Sequence, residues 1–301
     1  MNLIERIVDN TDPSISVRLR AVKKWWHRDQ VGRVLAALTA TGTVAVDVGA
    51  NRGVYTYVLS TKVGRTGQVH AVEPYPGNAA RLQTLARRRG NITFHPVALS
   101  DTVGQAALRV PVHEGKHIDA LATLGPVVGA GHDDIPIPVR TLDDLLGDES
   151  GRISVLKCDV EGHEDRVLRG GAAVLRRHMP AIIVEVEQRH RSDRIEDTFA
   201  YLLGLGYVGY FLVPHGLRPL AEFDAAQHQP PASAAQFVAY SMPDGYVTDF
   251  LFVRSGTSLG ALVTPQRRRV ANPVRLPRPR QESNREAPTT PVVGRNWTDG
   301  R

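Results

Sequence analysis

Apolar positions in this chain follow two periods. Around residues 43–48, 68–73, 153–159 and 181–187 they run almost unbroken and are rich in Val and Ile. Such runs, bounded by Gly, Pro or acidic residues, predict strands buried on both faces. Residues 54–62, 76–89, 167–177 and 195–203 instead carry apolar residues at helical spacing. Helix 76–89 turns Ala80, Leu82 and Leu85 inward, and its Arg87-Arg88-Arg89 end complements the helix dipole. Helix 167–177 reads as continuous through Gly170-Gly171. Strands are also expected at 91–97, 207–213 and 248–254, the last two as an antiparallel pair around a variable loop. Residues 102–112 and 135–139 read as strands of an insertion flanking a loop at 115–134, and 140–146 as a short helix with Thr141 as N-cap. Strand and helix alternate to about residue 213, which predicts an α/β domain with a mostly parallel sheet. Ligands of such sheets bind at the carboxyl ends of the strands.

The flanks differ from this middle. Residues 1–40 read as a helical cap that includes a basic amphipathic stretch at 17–28, expected to lay its apolar face on the sheet. The domain proper is placed at 41–260, with an Ala-, Gln- and Pro-rich segment at 221–244 as a lid. Residues 261–301 are Pro- and Arg-rich with little apolar surface to bury, so they read as a disordered tail. That tail holds nine arginines and three carboxylates, which accounts for the whole formal net charge of +6. The body is therefore close to neutral, and a nucleic-acid groove is not expected. No run reaches the ~18 apolar residues of a membrane span, and residues 1–9 lack the pattern of a secretory signal. A lone cysteine, Cys158, excludes an internal disulfide and suits a reducing cytoplasm.

Candidate chemistry gathers at the strand ends. Asp47-Val-Gly49-Ala-Asn51-Arg-Gly53 joins a buried strand to a helix, a geometry that presents backbone N–H groups to a ligand. Its glycines are spaced G-x-x-x-G, so it lacks the G-x-G-x-x-G dinucleotide fingerprint. Asp47 suits a cationic ligand better than a pyrophosphate. Glu73-Pro74 ends the second strand ~20 residues later, where a carboxylate can accept both hydroxyls of a ribose. Ala98-Leu-Ser-Asp101 follows the third strand. Asp159, Glu161, His163 and Glu164 crowd the end of the strand at 153–159, and Glu185 ends the next. Asp159, Glu161, His163, Glu185 and His190 are candidate general bases. A second reading makes the same carboxylates, Asp159 and Glu185 above all, a Mg²⁺ site. Glu161 and Glu164 can also simply cap the helix that follows.

Taken in order, Asp47 to Gly53, Glu73-Pro74, Val97 to Asp101, Leu156-Lys-Cys-Asp-Val-Glu-Gly-His-Glu164 and Pro180 to Glu185 resemble the FkbM family of S-adenosylmethionine-dependent O-methyltransferases. The resemblance covers roughly residues 43–254, and Lys-x-Asp-Val-Glu-Gly-x-Glu is its most specific part. It implies a class I methyltransferase fold, Rossmann-like, with a seven-stranded mostly parallel sheet whose last strand is antiparallel. It implies that Asp47, Gly49, Asn51 and Gly53 line the methionine part of S-adenosylmethionine. Glu73-Pro74 would hold the ribose, Ala98 to Asp101 would border the adenine, and Asp159 would lie near the reacting methyl. The implied acceptor is a hydroxyl on a small sugar, polyketide or glycolipid-type metabolite. An NAD-dependent oxidoreductase or sugar-modifying enzyme remains the alternative, because a βαβ unit ending in Glu73 serves that chemistry too.

Overall fold

This computed structural model describes residues 13–26, 29–113, 115–125, 131–214, 216–231 and 243–263. All belong to one compact unit, residues 1–265. Residues 264–301 of the tail and residues 232–242 of the proposed lid therefore lie outside the described residues; Gly260–Val263 forms a short helix at the expected start of the tail. No described helix is long and apolar enough to cross a membrane.

The chain opens with helices α1 (Pro13–Trp26) and α2 (Gln30–Leu38). Val17, Val34 and Leu35 are buried in the same apolar cluster as Leu59 and Val155, so both helices pack on one face of the sheet. Next come β1 (Val44–Val48), α3 (Val54–Val63), β2 (Gln68–Val72), α4 (Pro76–Arg89) and β3 (Ile92–His95). Every residue of β1 is buried, Asp47 among its four apolar residues included. In α4, Leu82 and Leu85 face inward as expected, but Asn78 takes the third buried position and Ala80 is exposed.

An insertion follows: β4 (Ala98–Leu99), β5 (Gly104–His113), β6 (Lys116–His117) and β7 (His132–Arg140). β5 and β7 form a long antiparallel pair running from Gly104↔Val139 to Pro111↔His132. They carry their own small core of Ala98, Leu108, Val110, Ile137 and Val139. The chain returns through α5 (Leu142–Leu146), whose Thr141 N-cap accepts the Asp144 N–H at 2.9 Å, and enters the fully buried β8 (Ile153–Cys158).

The helix expected at 167–177 is two helices, α6 (Glu164–Arg169) and α7 (Ala172–His178). Gly170 and Gly171 cause the break. A Cβ on Gly170 would meet the Ser100 carbonyl, and one on Gly171 would meet the Leu142 side chain. The second helix is then capped from α5, where Asp143 accepts the N–H groups of Ala173 and Val174 at 3.0 and 2.8 Å.

The remaining elements are β9 (Ala181–Glu185), α8 (Ile195–Gly204), β10 (Tyr207–Val213), β11 (Gly216–Pro219), α9 (Ala225–His228) and β12 (Asp249–Arg254). The main sheet runs β11-β10-β12-β9-β8-β1-β2-β3. It has eight strands among the described residues, not the expected seven. The extra one, β11, folds back on β10 from Val213↔Gly216, and its Gly-Leu-Arg-Pro sequence has no alternation to reveal it. β12 is antiparallel to both β9 and β10, and β11 to β10; the other strands run parallel. Phe250 on β12 packs against Phe199 on α8 at a ring-centroid distance of 4.5 Å. A fully buried side chain of that size contributes ~2–3 kcal/mol.

Candidate active site

The carboxyl ends of β1, β2 and β8, roofed by the insertion, enclose a cavity of ≈ 330 Å³. Val48, Val72, Val97, Leu99 and Leu108 supply apolar wall. Its titratable lining is Glu73, Asp119, Asp159, Glu161 and His163, and no Lys or Arg is among the lining residues.

The glycine loop forms one wall. Gly49 sits at φ 75, and a Cβ there would collide with the Asp159 carbonyl oxygen, so β1 and β8 can meet this closely only at glycine. Asn51 is left-handed at φ 47. The loop's N–H groups are taken within the protein: Gly49 and Ala50 donate to the Val72 carbonyl at 3.0 Å, Gly53 to the Ala50 carbonyl at 2.8 Å, and Asn51 to Glu73 Oε2 at 2.7 Å. These four groups do not form the anion cradle that strand, turn and helix suggested. Glu73 also accepts the Tyr75 N–H at Oε1, 2.8 Å away. Burial pushes its carboxyl up to about 7, against the pull of those two N–H bonds.

Below the cavity lies a buried charge group. Asp47 is fully buried and does not line the cavity; Thr56 Oγ1 donates to its Oδ2 at 2.5 Å. Lys157 Nζ lies 3.8 Å from Asp47 Oδ1 and 3.1 Å from Asp159 Oδ2. Burial works against its charge, but Asp159, Asp47 and Glu185 hold its ammonium above the ordinary lysine value. Gly53, at φ 80, also lies off the cavity: a Cβ there would crowd Leu82 and Leu85 of α4.

The acidic loop after β8 forms the opposite wall. Glu161 and Gly162 turn with φ of 53 and 95. Glu164, buried at the start of α6, accepts the N–H groups of Val160 and Gly162 at 3.2 and 2.9 Å, so it shapes this loop from beneath. Burial raises its carboxyl to about 7. His163 reaches the cavity with Nε2 2.9 Å from Ser100 Oγ, and burial lowers its pKa to about 4, which keeps the ring neutral. Glu161 Oε2 stands 3.0 Å from His190 Nε2. Burial pushes the Glu161 carboxyl up despite that imidazole.

Of the residues singled out from sequence, Gly49, Asn51, Glu73, Pro74, Ala98, Asp159, Glu161 and His163 line one cavity. Asp47, Gly53, Asp101 and Glu185 do not. Asp101 instead accepts from Arg166 Nη1 at 3.0 Å. Glu185 sits at the end of β9, where Asp159 and burial hold its carboxyl well up. Sequence reasoning missed Asp119 and Thr123, which come from the insertion loop. Asp119 joins the lining and forms a two-point ion pair with Arg52 of the glycine loop, at 2.9 and 3.2 Å. Thr123 Oγ1 donates to the Glu161 carbonyl at 2.7 Å. The one available signal was the loop's place between two insertion strands.

The Mg²⁺ reading does not fit. Among the described residues no three His, Cys, Asp or Glu side chains converge closely enough to hold a metal. The position between Asp47 and Asp159 is filled by the Lys157 ammonium.

A family model described as the methyltransferase FkbM domain matches residues 47–208, more than half of the chain. The chain belongs to the FkbM methyltransferase family. A crystal structure of a methyltransferase FkbM from Methylobacillus flagellatus is 21% identical, with a TM-score of 0.42; the match covers 70% of this chain and 43% of that one. This family member thus spans less than half the length of that protein. A SAM-dependent O-methyltransferase from Thermotoga maritima is 11% identical over 79% of this chain and 72% of that one, with a TM-score of 0.39. Aeropyrum pernix fibrillarin, solved with natively bound S-adenosyl-L-methionine, is 14% identical over 72% and 68%, with a TM-score of 0.38. No curated protein matches the chain significantly.

Proposed function

We propose that this FkbM-family chain transfers a methyl group from S-adenosylmethionine to a hydroxyl of a small metabolite. The observation that carries the reading is the cavity's charge. Glu73, Asp119, Asp159 and Glu161 line it, no Lys or Arg does among the described residues, and four N–H groups of the glycine loop are already bonded. Such a site repels the pyrophosphate of NAD and attracts a ligand carrying a sulfonium and an ammonium. The oxidoreductase alternative therefore finds no support in the site.

The cofactor supplies an electrophilic methyl group on sulfur. Gly49 and Asn51, which line the cavity, would hold its methionine part. Glu73 keeps acceptor capacity beyond its two N–H bonds and would take the ribose hydroxyls. Ala98, Leu99 and Leu108 offer the adenine an apolar wall. Asp159, 3.1 Å from the Lys157 ammonium, would lie towards the cation. Aligning the acceptor oxygen with the methyl is worth ~7–11 kcal/mol, so positioning dominates.

Glu161 is the best-placed base. His163 is neutral but poorly basic, and Asp159 is tied to an ammonium. In such a transfer Glu161 would take the proton that the acceptor hydroxyl gives up, while the bound cofactor would supply the methyl group. A sugar, polyketide or glycolipid-type hydroxyl remains the acceptor class. The lone Cys158, free and buried in β8, is consistent with a reducing compartment.

Calorimetric titration tests the cofactor. S-adenosylhomocysteine should bind at micromolar concentration and NAD should not; the reverse result overturns the proposal. Mass spectrometry of extracts from a deletion strain should then reveal a metabolite lighter by one methylene unit.

A further inference from the structure

The Glu161-Gly162 turn is held by three groups, of which Thr123 lines the cavity and Glu164 and His190 do not. Glu161 adopts the left-handed backbone that side chains avoid, and its carboxylate lines the cavity. Thr123 grips its carbonyl from above, and Glu164 holds the flanking N–H groups from below. The third support is the turn at Gln188–His190. A Cβ on Gly162 would come within 2.8 Å of the His190 Cβ and 2.9 Å of its carbonyl oxygen, so only glycine lets the two turns press together. The His190 ring then reaches past Gly162 to Glu161 Oε2, 3.0 Å away.

His190 is itself braced. Glu187 Oε1 lies 3.7 Å from its Nε2, and Arg189 grips Glu187 through two bonds of 2.7 Å. The charged groups around the ring are thus Glu161, Glu187 and Arg189. His190 does not line the cavity, so it reaches the chemistry only through Glu161.

We propose that His190 is a positioning residue that aims the Glu161 carboxylate at the place where cationic charge and the acceptor hydroxyl meet. This rests on the methyltransferase reading above. Burial opposes a charged imidazole, but Glu161 and Glu187 prevail and raise His190 to about 9. It therefore works as a fixed cation beside Glu161 at neutral pH and does not serve as the base.

The test uses two probes and the full chain. Sinefungin carries an amine in place of the sulfonium methyl; S-adenosylhomocysteine has a neutral thioether there. In the wild type sinefungin should bind more tightly. Glu161→Gln should reduce that preference roughly tenfold or more. His190→Ala leaves Glu161 chemically intact, and should reduce the preference at least roughly threefold while S-adenosylhomocysteine affinity stays within about twofold. His190→Lys, which keeps a cation in reach of Glu161, should restore most of it.

Equal weakening of both probes by His190→Ala, or an unchanged preference, overturns the proposal. Should His190→Ala fail to fold, histidine ring NMR decides. The titration midpoint of His190 should fall by at least about one pH unit in Glu161→Gln, and an unmoved midpoint overturns the coupling. A wild type that binds neither probe overturns the methyltransferase reading itself, and this inference with it.

Discussion

Asp47 on β1 and Lys157 on β8 are register partners, and their charged ends lie 3.8 Å apart with side chains 1% and 5% exposed. Lys157 continues to Asp159 at 3.1 Å and lies 5.2 Å from the centre of the Tyr55 ring. One ammonium thus links a carboxylate sealed beneath the sheet end to a carboxylate that lines the cavity.

Breaking this link should be costly. Lys157→Met leaves two carboxylates without their cation, one of them fully buried, and should lower stability by about 3–5 kcal/mol. Asp47→Asn should cost less, because Lys157 keeps Asp159. Urea denaturation of both variants measures the difference. A loss below ~1 kcal/mol for Lys157→Met would show that water reaches the group and screens it.

Gly49→Ala should be among the most damaging single-methyl changes in the chain. The added Cβ meets the Asp159 carbonyl oxygen, which is backbone held by the Val48 carbonyl through the Asp159 N–H at 3.1 Å, and φ is 75. We expect failure to fold or a loss of about 4 kcal/mol. Soluble expression and thermal melting are the readouts, and a melting temperature near wild type would mean that the β1–β8 contact is looser than described.

Glu164 should make the protein less stable as pH rises. Burial raises its folded pKa from 4.5 to about 7. Its contribution is therefore fully present below the unfolded value and is lost as pH rises through the folded one, with an upper size of about 3 kcal/mol. Its Oε2 has no partner among the described residues. Glu164→Gln keeps an acceptor for Val160 and Gly162 without the buried charge. The variant should gain on the wild type between about pH 5 and pH 8. Parallel melting curves across that range would place the charge in solvent.

Asp119 should slow the release of bound ligand. It ties the insertion to the glycine loop through Arg52, while Thr123 ties the same segment to the acidic loop. Asp119→Asn removes one latch and should speed S-adenosylhomocysteine dissociation roughly tenfold, equivalent to about 1.4 kcal/mol, with little change in melting. Stopped-flow dissociation measures this; an unchanged rate would mean that the insertion does not gate the cavity.

Much of the architecture was legible in the sequence because it rests on period. The runs at β1, β8 and β9 alternate with helical spacing, and a strand buried on both faces tolerates almost nothing but Val, Ile and their like. The glycine loop, Glu73 and the acidic loop were legible for a related reason: turns at strand ends need particular residue types, and Gly49 beside Asp159 is the clearest case. Thr141 announced its helix by a local side-chain bond.

What stayed hidden depends on distant parts of the chain. Gly170-Gly171 looked like a tolerated blemish until Ser100 and Leu142 occupied the space where their side chains would be. β11 has no pattern of its own and is a strand only because β10 offers it a free edge. Asp47 and Asp159 looked alike on paper, yet one is sealed under Thr56 and the other lines the cavity. The acids at 47 and 159 show why: local chemistry sets which residues are present, but Asp47 meets Lys157 and Asp159 meets Val48 only because β1 and β8, far apart along the chain, lie side by side. The sequence by itself determined the parallel core of the sheet, the strand-end acids and the family. Only the tertiary structure decided which acids share one cavity, that Asp119 joins them, and that Lys157 stands between Asp47 and Asp159, because Coulomb interactions depend on distance in space and not on separation along the chain.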